Sequence, residues 1–139
     1  MIGKSIDQLK TGDSDEFSKT VSESDVYLFA GITGDLNPAH VDEVYAGKTF
    51  FKSRIAHGML TGGLISTVVG TKLPGPGSIY REQNLVFLAP VRIGDTITAR
   101  VEIVEVDTEK NKITLHTSCT NPLGTMLVAG KAVINPPKQ

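Results

Sequence analysis

The stretch that decides the fold is GMLTGGLISTVVGTK, residues 58–72. Its large apolar residues recur at helical spacing and most of its other positions are small, which predicts a helix buried on nearly all sides. Gly62 and Gly63 each weaken a helix by about 1 kcal/mol relative to Ala. We therefore expect a sheet or a ligand to approach the helix closely at these two positions. The sequence PGPG at residues 74–77 then ends the helix in a turn.

Downstream of this helix, apolar and polar residues alternate as they do in β-strands. Four strands are predicted, with turn-like joins between them, at residues 78–88, 96–106, 113–120 and 126–134. Strands that follow one another through short joins form an antiparallel meander. One buried helix before a long meander predicts an α+β fold in which the antiparallel sheet is wrapped around the long central helix. The tail, residues 135–139, is predicted to be disordered.

Upstream of the helix the signals are shorter. Residues 17–21 alternate weakly and predict a short strand. Ser22, with Asp25 three residues later, is typical of a capping box that begins a helix, and this helix should end near the glycines of residues 31–34. Residues 34–40 are rich in turn-forming residues and are predicted as a loop. A short helix is predicted at residues 41–46, and a surface loop at residues 47–54.

The composition bounds the class of protein. The chain has 139 residues, enough for one domain that spans residues 1–139 with its core at about 15–134. Because 40% of the residues are apolar, wholesale disorder is excluded. The formal net charge is -1, from 14 basic and 15 acidic residues. This balance argues against a nucleic-acid partner, since nucleic-acid-binding proteins usually carry a basic excess.

Cysteine content and apolar runs indicate where the protein works. Cys119 is the single cysteine, which excludes an intrachain disulfide and a cysteine-based zinc cluster and favours a reducing compartment. Residues 1–13 lack the apolar core of a secretory signal. Polar residues and glycines interrupt the longest apolar-leaning stretch, residues 59–69, which is far shorter than the ~20 residues of a membrane span. We therefore expect a cytoplasmic protein with no membrane partner.

The segment with the clearest chemistry lies just upstream of the buried helix. Asp35 and His40 are separated by Asn37 and Pro38, and the proline favours an extended or turning backbone over a helix. A tight turn there would bring both side chains to one pocket, where a carboxylate beside an imidazole is the simplest acid/base pair at neutral pH. A structural arrangement fits the spacing too, with Asp35 capping the following turn and His40 packed beneath it. Spacing alone leaves both alternatives open.

The sequence FAGITGDLNPAH, residues 29–40, resembles the signature of the MaoC-like hydratases, which are (R)-specific 2-enoyl-CoA hydratases. The Gly-Asp-x-Asn-Pro-x-His pattern of that family is matched at residues 34–40, with Ala39 where a larger aliphatic residue is usual. The resemblance continues less specifically to about residue 134, through residues 56–59, 77–80 and 87–95. It implies a hot-dog fold and the reversible addition of water to trans-2-enoyl-CoA, which gives (R)-3-hydroxyacyl-CoA.

The resemblance also implies which groups perform catalysis. Asp35 and His40 share the catalytic water and divide the roles of base and acid between them, and the sequence does not say which residue is the base. Negative charge develops on the thioester oxygen during the reaction and needs a preorganised donor. The backbone N–H of Gly58 is suited to this role, because it lies at the N-terminus of the buried helix.

Three further residues are predicted to bind substrate or to shape the site. Asn37 is expected to orient its segment through the side-chain amide. His57 is either a second acid/base group or a residue that shapes the start of the helix. Ser66 either lines an acyl pocket or is a small core residue that bonds the preceding turn. The cations considered for the CoA phosphates are Lys52, Arg54, Arg81 and Lys131.

The expected substrate is an acyl-CoA thioester, or the same acyl group on an acyl-carrier protein, and the expected assembly is a homodimer. No cofactor is expected. No metal is expected either, because the histidines are scattered and Asp35 is near only one of them in the sequence.

Two alternative functions share the predicted fold. A hot-dog thioesterase would aim a carboxylate at the thioester carbonyl, whereas a non-catalytic acyl-CoA-binding module would not need an intact Asp35–His40 pair.

Overall fold

The computed structural model describes residues 2–138, in which a short 3-10 helix (Ile6–Gln8) precedes four α-helices and six β-strands. The helices are α1 (Glu23–Thr33), α2 (Pro38–Val41), α3 (Glu43–Gly47) and α4 (Gly58–Thr71). The strands are β1 (Ser14–Thr20), β2 (Ile79–Gln83), β3 (Val86–Phe87), β4 (Thr96–Asp107), β5 (Lys112–Thr120) and β6 (Met126–Asn135). The architecture is α+β, and α4 lies where the sequence predicts the central helix.

The strands form one antiparallel sheet in the order β1-β4-β5-β6-β2, and β3 also pairs with β6. Strands β4 to β6 form the predicted meander. The single strand predicted at residues 78–88 is wrong in two respects: it is divided into β2 and β3, and both pair with β6 at the far edge instead of lying beside β4. The division falls at Asn84, whose N–H donates to the Lys131 carbonyl at 3.0 Å and whose Oδ1 accepts from the Lys131 N–H at 2.7 Å.

The core lies between α4 and the sheet. Ile65, Val68 and Val69 of α4 are at most 1% exposed and belong to the same apolar cluster as the inward-facing residues of β4, β5 and β6. The predicted close approach is confirmed at Gly62, where an added Cβ would lie 2.8 Å from Leu85 Cδ1. At Gly63 it is wrong, because a Cβ there would meet nothing within 4 Å. The helix therefore has one open face instead of being buried on nearly all sides.

Helix α1 begins and ends where its sequence signals predict. The Ser22 Oγ accepts a hydrogen bond from the Asp25 N–H at 3.1 Å, and the Asp25 Oδ2 accepts from the Ser22 N–H at 2.9 Å. Gly34 closes the helix with a left-handed φ of 81°, a conformation that glycine adopts without the steric cost of a Cβ. Strand β1 begins at Ser14, upstream of the predicted start at residue 17.

Two segments predicted as irregular are ordered. Residues 34–40 are not a continuous loop, because Pro38 begins the helix α2 instead of preventing one: its fixed φ suits the first helical position. In the tail, Asn135 ends β6, and the next two residues, Pro136 and Pro137, are buried. The Pro136 carbonyl accepts a hydrogen bond from the Asn111 Nδ2 at 2.9 Å. The predicted disorder is therefore wrong for residues 135–137, whereas Lys138 is exposed and outside any helix or strand, and residue 139 lies outside the described residues.

Candidate active site

Helix α2 holds His40 at the edge of a cavity. Asn37 caps this helix, since its Oδ1 accepts a hydrogen bond from the Ala39 N–H at 3.0 Å. The His40 side chain is buried, and its Nδ1 lies 2.7 Å from the Ile55 carbonyl oxygen. A carbonyl oxygen only accepts, so Nδ1 carries the proton in this bond and Nε2 is the unprotonated nitrogen of the neutral ring. Nε2 is then the nitrogen available to a ligand.

Asp35 lies in the turn between α1 and α2. Its Oδ1 accepts a hydrogen bond from the Asn37 N–H at 3.2 Å, which is the turn contact expected of a structural role. The residue is nevertheless exposed, so its carboxylate is accessible to a ligand. Ligand atoms of Asp35, His40 and His57 all lie within 4.8 Å of one another. The structure therefore brings Asp35 and His40 together, and the capping contact and the pairing coexist.

His57 joins this pair from the start of α4, although 22 residues of sequence separate it from Asp35. Its ring stacks on that of His40, with centroids 3.9 Å apart and planes 30° apart. Its Nε2 donates to the Asp35 carbonyl oxygen at 3.0 Å. The side chain is 2% exposed, and its Nδ1 has no hydrogen-bond partner within residues 2–138. His57 thus contacts both members of the pair, which sequence spacing does not reveal.

The proximity of these three side chains is that of a metal site, but each histidine already has one ring nitrogen engaged. Each imidazole uses one nitrogen on a backbone carbonyl. The nitrogens that these two bonds leave are His40 Nε2 and His57 Nδ1.

Gly58 is the first residue of α4, and it lines the same cavity as His40. The N–H groups of a first helical turn have no acceptor within the helix, and the helix dipole adds positive potential at this end. An added Cβ at Gly58 would lie 2.7 Å from Cε1 of the Phe87 ring, so glycine lets this ring pack against the start of α4. The first turn of α4 can therefore offer an N–H and a positive potential to a partly negative oxygen in the cavity.

The cavity has a volume of about 500 Å³. Its polar edge includes His40, Gly58 and Thr61, and the Thr61 hydroxyl is buried with no hydrogen-bond partner in the described part of the chain. The rest of the lining is mainly apolar and includes Phe50, Phe51, Met59, Phe87, Leu88 and Val128. Sequence reasoning missed these residues, because they come from separate elements that only the folded chain brings together. The helical spacing of Thr61 from Gly58, three residues, is the one signal that points to the cavity.

The other residues considered from the sequence lie elsewhere or are already engaged. Ser66 is exposed on the open face of α4 and does not line this cavity. Arg54, considered for CoA phosphates, donates to Glu43 Oε2 and to Glu23 Oε1, both at 2.7 Å. These two carboxylates hold the pKa of the Arg54 guanidinium above its ordinary value.

Comparison with known proteins decides the family. The family model described as the MaoC like domain matches residues 8–121, more than half of the chain. The chain belongs to the MaoC-like family. The matched region contains Asp35, His40, His57 and Gly58, so the side-chain cluster described above lies within the family's domain.

Several MaoC-like relatives cover nearly the whole chain. A protein of Rhodospirillum rubrum named (R)-specific enoyl-CoA hydratase is 56% identical over 128 residues, which is 92% of this chain and 84% of that protein. A protein of Methylorubrum extorquens named 3-hydroxybutyryl-CoA dehydratase is 46% identical over 134 residues, 96% of this chain and 84% of that protein.

A solved structure confirms the fold. The R-hydratase PhaJ1 of Pseudomonas aeruginosa, in its unliganded form, superposes with a TM-score of 0.93 at 42% identity, over 99% of this chain and 88% of that one. The chain has the hot-dog fold, as the resemblance implied. None of the helices within residues 2–138 has the length and apolar character needed to cross a membrane.

Proposed function

We propose that this MaoC-like protein is an (R)-specific enoyl-CoA hydratase, which adds water reversibly to trans-2-enoyl-CoA and forms (R)-3-hydroxyacyl-CoA. One observation carries the proposal: the Asp35 carboxylate and the His40 imidazole meet beside the cavity that the first turn of α4 lines. The names of the two relatives, a hydratase and a dehydratase, describe the two directions of this reaction and support the same assignment.

In the proposed mechanism the Asp35–His40 pair holds the water. The pair takes a proton from the water as its oxygen attacks C3 of the enoyl group, and the electron pair of the C2–C3 double bond moves toward the thioester carbonyl. A proton held by the pair is then delivered to C2, which restores the thioester. His40 acts through Nε2, because Nδ1 is bonded to the Ile55 carbonyl.

The negative charge that develops on the thioester oxygen is stabilised by the Gly58 N–H in this proposal. A backbone donor at a helix N-terminus is fixed before the reaction begins, so it needs no reorganisation as the charge appears. Asn37 supports the pair indirectly by capping α2. Ser66 is proposed for the acyl end of the substrate only in an assembly that covers the open face of α4, since it lies away from the cavity of the single chain.

The proposal includes the acyl carrier, the oligomeric state and the cellular compartment. The apolar cavity suits an acyl thioester, carried by CoA or by an acyl-carrier protein. A homodimer of single-domain chains is supported by the edge strand β2 and by exposed apolar side chains, which a second copy would cover: Leu28, Ile32, Leu36, Val44 and Phe50. The buried single thiol of Cys119 is consistent with a cytoplasmic setting.

The test is the loss of crotonyl-CoA absorbance, coupled to a dehydrogenase that accepts only the (R)-hydroxy product. We expect wild-type turnover, and we expect Asp35→Asn and His40→Gln each to fold and to lose at least about a hundredfold in kcat, since each removes an acid/base group. His116→Gln and Asp15→Asn are matched controls on the sheet, where His116 is exposed and Asp15 lies on β1.

Three results would contradict the assignment. Release of free CoA without hydration would indicate a thioesterase. Binding without turnover, on CoA and acyl-carrier-protein substrates alike, would indicate a binding module. Near-wild-type turnover in either Asp35→Asn or His40→Gln would show that the pair is wrongly assigned even if the reaction is correct.

A further inference from the structure

Residues 54–57, which we call the anchor segment, run beside the Asp35–His40 pair and contact it repeatedly. The Ile55 N–H donates to the Ala39 carbonyl at 3.2 Å, and the Ile55 carbonyl accepts from the His40 Nδ1 at 2.7 Å. His57 donates to the Asp35 carbonyl at 3.0 Å. The positions of both catalytic side chains therefore depend on where the anchor segment lies.

Arg54 fixes the first residue of this segment to two helices. Its Nε donates to Glu43 Oε2 at 2.7 Å in the first turn of α3, and its Nη2 donates to Glu23 Oε1 at 2.7 Å in the first turn of α1. Its Nη1 donates to the Tyr27 hydroxyl oxygen at 2.8 Å. The Arg54 side chain is only 16% exposed. Helices α1 and α3 flank the turn and the short helix that carry Asp35 and His40, so one guanidinium ties together both ends of that region.

We propose that Arg54 is a positioning residue for the Asp35–His40 pair. The proposal rests on the function proposed above. A guanidinium is planar and presents its donors in a fixed fork, so three directional bonds from one side chain define its orientation as well as its position. Arg54 is bonded directly to Ile55, whose carbonyl fixes the His40 ring. A shift of Arg54 therefore moves the acceptor on which the His40 tautomer and orientation depend.

The same contacts argue against Arg54 as a ligand of CoA phosphates. Three of its nitrogens already donate to protein acceptors, and two of those acceptors are carboxylates. The hydrogen bond from Arg54 holds the pKa of the Glu23 carboxyl below its ordinary value, with help from Tyr27, so this carboxylate is charged at neutral pH. An incoming phosphate would meet two negative charges beside one positive charge.

The test compares Arg54→Lys with Arg100→Lys, its matched control. Arg100 also forms an ion pair, with Glu102 at 3.1 Å, but it lies on β4 and is 45% exposed. Lysine keeps the charge and loses the fork. We expect Arg54→Lys to lower kcat about ten- to a hundredfold, the scale of a small misplacement of catalytic groups, with KM changed less than about twofold. We expect Arg100→Lys to match the wild type.

A second substrate separates positioning from phosphate binding. Crotonyl-pantetheine carries the reacting group and the pantetheine arm without any phosphate. A positioning residue lowers kcat by the same factor with crotonyl-CoA and with crotonyl-pantetheine. A rise in KM confined to crotonyl-CoA would overturn the proposal in favour of a phosphate contact, and an unchanged kcat with both substrates would overturn it outright.

A measurement without turnover keeps the proposal independent of the assigned reaction. The His40 Nδ1–H is bonded to the Ile55 carbonyl, so its ring-proton NMR signal should be protected from exchange with water, and His40→Gln identifies it. We expect faster exchange in Arg54→Lys and in the milder Glu43→Gln, and no change in Arg100→Lys. If the wild type lacks hydratase activity but this pattern holds, the proposed function fails and the positioning role stands. An unaltered signal in both variants would overturn the positioning role.

Discussion

At the scale of single residues, backbone carbonyls orient the groups of the candidate site. His40 and His57 each donate one ring nitrogen to a carbonyl oxygen, that of Ile55 and that of Asp35. The sequence predicts the pairing of Asp35 with His40, because a short turn-forming motif contains both. It does not predict the contact of His57 with Asp35, since that depends on how α1 and α4 pack.

Gly58 gives the first prediction at this scale. In Gly58→Ala the new Cβ would overlap the Phe87 ring, whose nearest atom would be 2.7 Å away, so the half-exposed ring must move along the cavity wall. We expect kcat/KM for crotonyl-CoA to fall roughly tenfold, because the donor and the cavity are both displaced. Steady-state kinetics on the folded variant measure this effect.

The control for this substitution is Gly70→Ala on the same helix. A Cβ at position 70 would meet nothing within 4 Å, so the exchange changes only helix propensity and should leave kcat/KM unchanged. A wild-type kcat/KM in Gly58→Ala would show that neither the position of the Gly58 N–H nor that of the Phe87 ring affects turnover of crotonyl-CoA.

At the scale of elements, local patterns predict α1, α4 and the meander, whereas partners distant in sequence determine the rest. Asn84 exchanges two hydrogen bonds with Lys131, 47 residues away, and this divides the predicted strand into β2 and β3. Gly130 is needed at the same place, because a Cβ there would lie 1.8 Å from the Asn84 carbonyl oxygen. Neither feature has a local signature in the sequence.

The capping box of α1 carries a pH-dependent prediction. The Ser22 N–H and, next, Lys19 hold the pKa of the Asp25 carboxyl below its ordinary value of 3.8. A carboxyl whose pKa is lower in the folded state stabilises the fold above its unfolded pKa, and this stabilisation is lost as the pH falls through the folded pKa. We expect Asp25→Ala to lower the free energy of unfolding by roughly 0.3–1 kcal/mol at pH 7, the range for a carboxylate in the first turn of a helix.

Urea denaturation at pH 7 and at several values below 3.8 tests this expectation. The free energies of unfolding of the wild type and of Asp25→Ala should become more similar as the pH falls. A difference that stays constant across this range would mean that the Asp25 charge does not contribute to the cap.

At the scale of the whole molecule, the sheet and α4 enclose one apolar core that includes the single cysteine. The Cys119 Sγ donates to the Thr61 carbonyl oxygen of α4 at 3.6 Å, and burial raises the pKa of the thiol to about 12. The sequence predicts this helix-on-sheet arrangement from its order of elements. It does not predict the open face of α4, because Gly63 is identical in type to Gly62, against which Leu85 packs closely.

The core thiol serves as a probe of global opening. Because the thiolate is the reactive form and the folded state shields it, we expect a chromogenic disulfide reagent at pH 8 to react at least about a hundredfold more slowly with the native protein than with the protein in urea. The colour of the released thiolate reports the rate. Similar rates in both conditions would indicate that α4 separates readily from the sheet.

Helix α2 has a further consequence, because it spans only four residues and yet carries His40. An isolated helix of that length has no stability in water, since nucleation costs more than so few hydrogen bonds return. Helix α2 is therefore stabilised by its caps and by its contacts with the anchor segment. Because local unfolding samples the least stable parts of a protein first, we expect heating to disrupt the geometry of the candidate site before the sheet unfolds.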